Sequence, residues 1–229
     1  PTGVEVAGAL GELKKHVLPN DYPDIDFDIM KLHLVDAGPR LLAGMSEKSS
    51  AKAELYLKDF DVDVRLNTRL VSYDGRDVVL TDGTVIPAKT VIWAAGVTGN
   101  IMDGLPKESI GGGRIIVNEF NEVKGLQDVF ALGDIAGMYT AQTPKGHPMV
   151  APVAIQQATN LGKNLMRAQK GKPLKPFVYK DKGSMATIGR NRAVVDLPKF
   201  HFGGLFAWMV WMFIHLMSIV GFRNRLVIL

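Results

Sequence analysis

Pro1-Thr2-Gly3-Val4-Glu5-Val6-Ala7-Gly8 is the stretch from which the fold is read. A dinucleotide-binding fold sets a strand, a G-x-G-x-x-G turn and a helix in succession, with glycines that let the backbone approach a pyrophosphate. Pro-Thr-Gly supplies the final x-x-G of that pattern, and a helix follows at once. Val4, Ala7, Leu10, Leu13 and Val17 recur at helical spacing. Lys14, Lys15 and His16 fall in the last turn, where cations suit the helix dipole. Each of Gly3, Gly8 and Gly11 costs roughly 1 kcal/mol of helix propensity where it falls in the interior. Two readings stand: glycines that allow close packing on a sheet and approach to a phosphate, or an ordinary glycine-containing core helix. The strand and first two glycines of the fingerprint do not precede Pro1 in this sequence, so a fragment without activity of its own is expected.

Lys31-Leu32-His33-Leu34-Val35-Asp36 reads as a buried strand ending on a carboxylate, and Ala37-Gly38-Pro39-Arg40 turns the chain. A carboxylate at the end of the second strand binds the ribose hydroxyls of NAD and repels the 2′-phosphate of NADP. The usual distance from the fingerprint is about 20 residues. Gly3 to Asp36 is longer because Pro19 to Met30 is a polar insertion carrying Asp21, Asp24, Asp26 and Asp28. The alternative is a plain strand-end turn residue.

Working outward, residues 46–60 read as a helix with Ser46 as N-cap. Short strands are expected at 62–66, 70–73, 77–80 and 85–87, with turns at Asp74-Gly75 and Asp82-Gly83. Thr90-Val91-Ile92-Trp93-Ala94-Ala95-Gly96 reads as a buried strand. This β-α-β run with a small meander predicts an α/β nucleotide domain over 1–105. A second unit, 106–200, is expected to hold strands at 115–117, 129–134, 177–179, 185–188 and 193–195, and a helix over 150–168 with Pro152 in its first turn.

The 229 residues are 47% hydrophobic and 22% charged, which indicates a globular chain. The net charge is a mild +4, without a stripe of cations interleaved with exposed aromatics, so no nucleic-acid partner is expected. The absence of cysteine excludes disulfides, thiolate metal sites and dithiol chemistry in this chain, and no metal site is expected.

The tail, 201–229, differs from the rest. Phe202 to Val220 is almost unbroken in apolar and aromatic residues, with His215 the one strongly polar interruption, and Arg223 and Arg225 follow. About 18 apolar residues lie at the lower limit for a bilayer span. The central Trp208 and Trp211 and the adjoining arginines suit a helix lying in one leaflet. A core helix or a dimer helix is the alternative.

Together these segments resemble the type II NADH:quinone oxidoreductases, single-subunit, non-proton-pumping members of the two-dinucleotide-binding-domain flavoprotein superfamily. The matching motifs are Pro-Thr-Gly-Val-Glu at 1–5, Leu-Val-Asp-Ala-Gly-Pro-Arg at 34–40, Val-Ile-Trp-Ala-Ala-Gly-Val at 91–97 and Val-Phe-Ala-Leu-Gly-Asp at 129–134. Gln156-Gln157-Ala158, Met185-Ala-Thr-Ile-Gly at 185–189 and Gly-Phe-Arg-Asn-Arg at 221–225 complete the set. The resemblance implies a Rossmann-like FAD/NAD(P)-binding fold of the pyridine nucleotide-disulfide oxidoreductase type with a C-terminal apolar helix. Residues 1–105 would be the NADH-binding domain, with its first strand missing. Residues 106–200 would be the C-terminal half of the FAD-binding domain, and 201–229 a membrane-associated tail. It further implies that Gly3 belongs to the NADH fingerprint and that Glu5 stands beside the nicotinamide. Asp36 would hold the ribose, and Gly96 and Val97 would line the loop near the adenosine. Gly133 and Asp134 match the segment whose carboxylate holds the FAD ribityl chain. Gln156 and Gln157 match amides near the flavin ring and the quinone access. The implied chemistry is electron transfer from NADH through FAD to a membrane quinone, by a peripheral homodimer on the cytoplasmic face of the inner (plasma) membrane. A soluble FAD-dependent NAD(P)H reductase and a non-catalytic redox-sensing nucleotide module are the alternatives.

Overall fold

The computed structural model describes residues 1–141 and 143–219, the side chain of Ile219 excepted. The chain forms two units, Pro1–Ala95 joined by the segment from Gly183, and Gly96–Lys182. The expected boundary near 105 thus lies at 95. Residues 183–200, expected with the second unit, fold into the first because their apolar side chains belong to its core.

In the first unit α1 (Thr2–Glu12) runs through a wide π-helical turn, Leu13–Val17, into the short α2 (Leu18–Asp21). Its buried side is Val4, Ala7, Gly8, Gly11 and Lys14, while Leu13 and Val17, expected on the core face, are exposed. The glycines hold the core face because the neighbours stand too close for anything larger. A Cβ on Gly8 would lie 2.8 Å from Ile188 Cα, and one on Gly11 would lie 2.6 Å from Phe60 Cβ.

The chain continues through β1 (Leu32–Val35), α3 (Glu47–Asp59) and β2 (Val62–Arg65). β1 and β2 pair in parallel from Leu32↔Val62 to Val35↔Arg65, giving the expected β-α-β unit. Ser46 caps α3, its Oγ accepting the Ser49 N–H at 3.2 Å. β3 (Leu70–Tyr73), β4 (Asp77–Leu80) and β5 (Val85–Pro87) form the antiparallel meander over Val78, Leu80 and Ile86. Its turns are fixed by Asp74, which accepts the Arg76 and Asp77 N–H groups, and by Asp82, which accepts that of Thr84.

Residues 90–95 are not a strand. Ile92 and Trp93 are 55% and 70% exposed, and no strand pairs with them among the described residues. An apolar run becomes a strand only where a neighbouring edge takes up its backbone groups.

The second unit pairs β6 (Ile110–Gly111) and β7 (Arg114–Val117) antiparallel, and β7 with β8 (Ala136–Met138) in parallel, beside α4 (Ala151–Gln169). Its core holds Ile115, Val117, Val123, Met138, Val153 and Phe177. Two expected strands are absent here. In 129–134 only Phe130 makes an isolated bridge, to Glu122, because the chain bends at Gly133 (φ +73°) into a 3₁₀ turn, Gly133–Ile135, and pairs only after it. Residues 177–179 join no strand; the Phe177 N–H donates to Glu119 O at 2.7 Å, and α4 side chains bond the backbone on either side, at 173–175 and 180, as described below.

Back in the first unit, β9 (Ser184–Thr187), β10 (Ala193–Asp196) and β11 (His201–Gly203) form an antiparallel sheet with β10 central, followed by α5 (Leu205–Ile219). β10 is buried on both faces: Val194 packs with Val4, Leu57 and Ile188, whereas Ala193 and Val195 pack with Ala207 of α5. No helix among the described residues is long and apolar enough to cross a membrane. Arg223, Arg225 and the motif at 221–225 lie outside the described residues.

The last residue of β10, Asp196, joins that strand to α3. Its carboxylate accepts the Ser46 N–H at 2.5 Å and the Ser46 and Ser49 hydroxyls at 3.0 and 2.6 Å, and meets His201 Nδ1 at 2.9 Å. Burial pushes the carboxyl up, but these bonds outweigh it, so its pKa lies below the ordinary aspartate value.

Two outcomes are expected. Gly8→Ala should destabilise the protein by about 1–3 kcal/mol in urea melts, because backbone overlap outweighs the gain of roughly 1 kcal/mol in helix propensity. Gly162→Ala in α4, where a Cβ meets nothing within 4 Å, should instead stabilise by up to about 1 kcal/mol. Equal effects would contradict the close-approach account. Asp196→Asn should cost about 2 kcal/mol. Because the folded pKa is depressed, the stabilisation is present above the unfolded value, about pH 4, and lost as pH falls through the folded value. The difference in Tm between wild type and variant should therefore shrink below about pH 4, and a difference that persisted there would remove the carboxylate from this role.

Candidate functional site

The expected site residues divide between the two units. In the first, the amino end of α1 carries Gly3 and Glu5. A Cβ on Gly3 would meet Leu34 and Ala94 only at ordinary contact distance. Glu5 is half-buried, and its Oε1 accepts the Thr187 N–H at 3.4 Å, a long bond that leaves the rest of the carboxylate uncommitted.

Asp36 directly follows β1, at the carboxyl end of a parallel strand. Its backbone is fixed on both sides: its N–H donates to Arg65 O at 2.8 Å and its carbonyl accepts the Thr68 N–H at 3.1 Å. Its Oδ1 accepts the Gly38 N–H at 2.7 Å. This Asx turn aims the carboxylate and leaves Oδ2 available. Arg40, the nearest cation in sequence, is committed elsewhere, donating to Met45 O at 2.7 Å and to Ala43 O at 2.8 Å. Further along β2, Asp63 bonds His33 at 2.9 Å and Arg65 at 2.8 Å. Burial raises the Asp63 pKa, and the bonds to Arg65 and His33 overcome that and lower it.

In the second unit, Gly96 and Val97 lie on an exposed loop, Gly96 at φ +115°. Gly133, Asp134 and Gln157 come together. Gln157 is 1% exposed, and its Oε1 accepts the Gly133 N–H at 2.7 Å, so α4 holds the turn that presents Asp134. Asp134 itself is exposed, and its carboxylate is free to accept hydroxyl donors. Gln156 is not part of that group. Its amide pairs in both directions with the backbone of Lys180, Nε2 to O and N–H to Oε1, each at 3.0 Å.

That bond is the first rung of a ladder absent from the expectations. Asn164, one step along the same stripe from Asn160, pairs with the backbone of Lys175 at 2.8 and 2.9 Å, and Asn160 donates to the same carbonyl at 3.2 Å. Arg167 Nε donates to Pro173 O at 2.6 Å. Side chains at 156, 160 and 164 thus take up the backbone groups of Lys175 and Lys180, while the Phe177 N–H between them donates to Glu119 O at 2.7 Å. Amides spaced four apart on one helix face are the sequence signal for it. The aromatic end of this segment packs on His147, which stands edge-on to Phe177 and Tyr179. Burial, with the nearby Arg114 guanidinium, holds the His147 pKa below its usual value.

Residues 1–158 match the family model described as pyridine nucleotide-disulphide oxidoreductase, and 182–229 match that of the NDH2 C-terminal domain. The type II NADH:quinone oxidoreductase NdhA of Mycobacterium tuberculosis is 38% identical over 99% of this chain and 50% of its own length. The mitochondrial internal alternative NAD(P)H-ubiquinone oxidoreductase A1 of Arabidopsis thaliana is 31% identical over 98% of this chain and 47% of its own length. The chain spans about half the length of the curated relatives it matches. Among solved structures, NDH2 from Plasmodium falciparum in complex with NADH superposes with a TM-score of 0.87 at 17% identity, covering 99% of this chain and 62% of that one, a likeness of fold.

Proposed function

Since the chain belongs to the pyridine nucleotide-disulphide oxidoreductase family, we propose that it serves the transfer of electrons from NADH through FAD to a membrane quinone. The observation that carries this reading is Asp36: a carboxylate at the carboxyl end of a parallel strand, aimed by the Gly38 N–H and unopposed by Arg40. Ligands bind at such strand ends in open α/β sheets, and a carboxylate there accepts from ribose hydroxyls. NADH is therefore assigned to Gly3, Glu5 and Asp36 of the first unit.

FAD fits the second set. Asp134 presents an uncommitted carboxylate to ribityl hydroxyls, and Gln157 fixes the turn that carries it. When bound, the two cofactors supply the hydride and electron chemistry, and the protein supplies binding and orientation. Glu5 flanks the nicotinamide in this reading. Gln156 and Gln157 stand on the helix toward the flavin and the quinone, Gln156 acting through its hold on Lys180.

A quinone is apolar, and α5 offers a matching surface. Phe206, Met209 and Phe213 lie exposed on one stripe of it, while Ala207 and Trp208 face the sheet. We assign that stripe to one leaflet of the inner (plasma) membrane at its cytoplasmic face, in a homodimeric peripheral enzyme.

The assignment of Asp36 implies a preference for NADH over NADPH, expressed in kcat/KM of the intact, FAD-loaded enzyme. Asp36→Ala should narrow that preference by about tenfold or more, the loss of one charge-assisted contact. Equal efficiency with both nucleotides in the wild type would sink the reading. The assignment of α5 implies flotation with liposomes. Replacing Phe206, Met209 and Phe213 together by glutamate removes about 2 kcal/mol of apolar contact apiece, so binding should fall more than about 100-fold. Undiminished flotation would place the membrane contact elsewhere.

A further inference from the structure

At the carboxyl end of α4, the last turns of the helix and the extended segment after it border an open cavity of about 300 Å³. Five cations line it: Lys163, Arg167, Lys170, Lys172 and Lys175. No carboxylate is among the lining residues, and the sequence from 135 to 180 contains neither Asp nor Glu. The helix dipole accounts for cations in the last turn, such as Arg167 and Lys170, because its effect fades beyond one turn. It does not account for Lys163, further back along the helix, nor for Lys172 and Lys175, which reach the cavity from the other wall.

The two walls are also bound together. Asn164, buried at 3% exposure, pairs with both backbone groups of Lys175, and Arg167 Nε holds Pro173 O. The backbone that carries Lys175 is therefore fixed against the helix turn that carries Lys163 and Arg167, and the exposed lysines extend from this frame. Several cations bordering one cavity attract a multiply charged anion together, and more strongly at low salt.

We infer that this cavity is a binding site for a phosphate-bearing ligand, held by Lys163, Arg167, Lys170, Lys172 and Lys175. Its volume lies at the low end of small-molecule pockets, roughly 300–1,000 Å³, which suits a phosphate or pyrophosphate group. Two sources carry that chemistry, a free phosphate compound or the headgroup of an anionic phospholipid. Met166 on the cavity wall and the neighbouring Leu165 are exposed apolar side chains beside the cations. The inference does not depend on the redox reading of the chain.

The test is titration of the whole chain with inorganic pyrophosphate by calorimetry, at low and high salt, for the wild type and for two double variants. These are Lys170→Glu with Lys172→Glu, and Lys163→Gln with Lys175→Gln; circular dichroism checks that each is folded. Both should bind at least about tenfold more weakly, and binding by the wild type should weaken with salt. Lys31→Gln with Lys48→Gln, changes in the other unit, should leave binding unchanged. A second arm uses phosphatidylglycerol and phosphatidylcholine vesicles. A loss confined to phosphatidylglycerol vesicles in the cavity variants, with those vesicles displacing pyrophosphate, identifies the headgroup as the source. Loss of pyrophosphate binding alone identifies a free phosphate compound. No pyrophosphate binding by the wild type, or equal binding by wild type and cavity variants, overturns the inference.

Discussion

The first unit depends on one carboxylate placed at the start of a helix. Asp196 ends a strand whose two faces are both buried, and that strand is useful only if α3 stands at a fixed angle and height beside it. The carboxylate accepts the Ser46 N–H and the Ser46 and Ser49 hydroxyls at the amino end of α3, where the helix dipole also favours negative charge. A single side chain thereby holds the cap residue of α3, offsets its own burial and ties β10 to the β-α-β unit. His201 closes the other side of the group and ties the entry into β11 to the same atom.

The glycines of α1 belong to the same logic of fixed approach. Gly8 and Gly11 bring the helix axis against Ile188 and Phe60, at distances that exclude a methyl group. Close packing thus accounts for the glycines at 8 and 11. Gly3 differs: its surroundings tolerate a side chain, so within the described residues its glycine character answers to no neighbour.

Elements with local signals were legible in the sequence. Ser46 announced α3, the Asp-Gly pairs announced the meander, and Pro152 stands in the first turn of α4 as expected. The failures share a cause. Segments 90–96, 129–134 and 177–179 are apolar and β-prone, but whether such a run becomes a strand depends on an edge supplied from elsewhere in the chain. Trp93 finds none among the described residues, Phe130 finds one residue, and 173–180 finds a helix decorated with amides. The site was legible in the same uneven way. Asp36 stands where strand and turn signals put it, and Gln157 reaches the Gly133 turn. The engagement of Gln156 with Lys180 depends on a distant backbone that helical spacing could not reveal.

The discontinuous build of the first unit has a consequence for its synthesis. The second unit is one contiguous run and can fold as soon as it is complete, whereas the first must wait for 183 onward. Ala53, Leu57 and Val4 share a core with Ala186, Ile188 and Val194, and Ser46 is 150 residues from Asp196. At translation rates of about 5–20 residues per second, the apolar faces of α1 and α3 emerge on the order of ten seconds before their cover. Loops that long close at a modest entropic penalty but slowly. The interval leaves the apolar faces of α1 and α3 uncovered until residues 183 onward have emerged to pack on them.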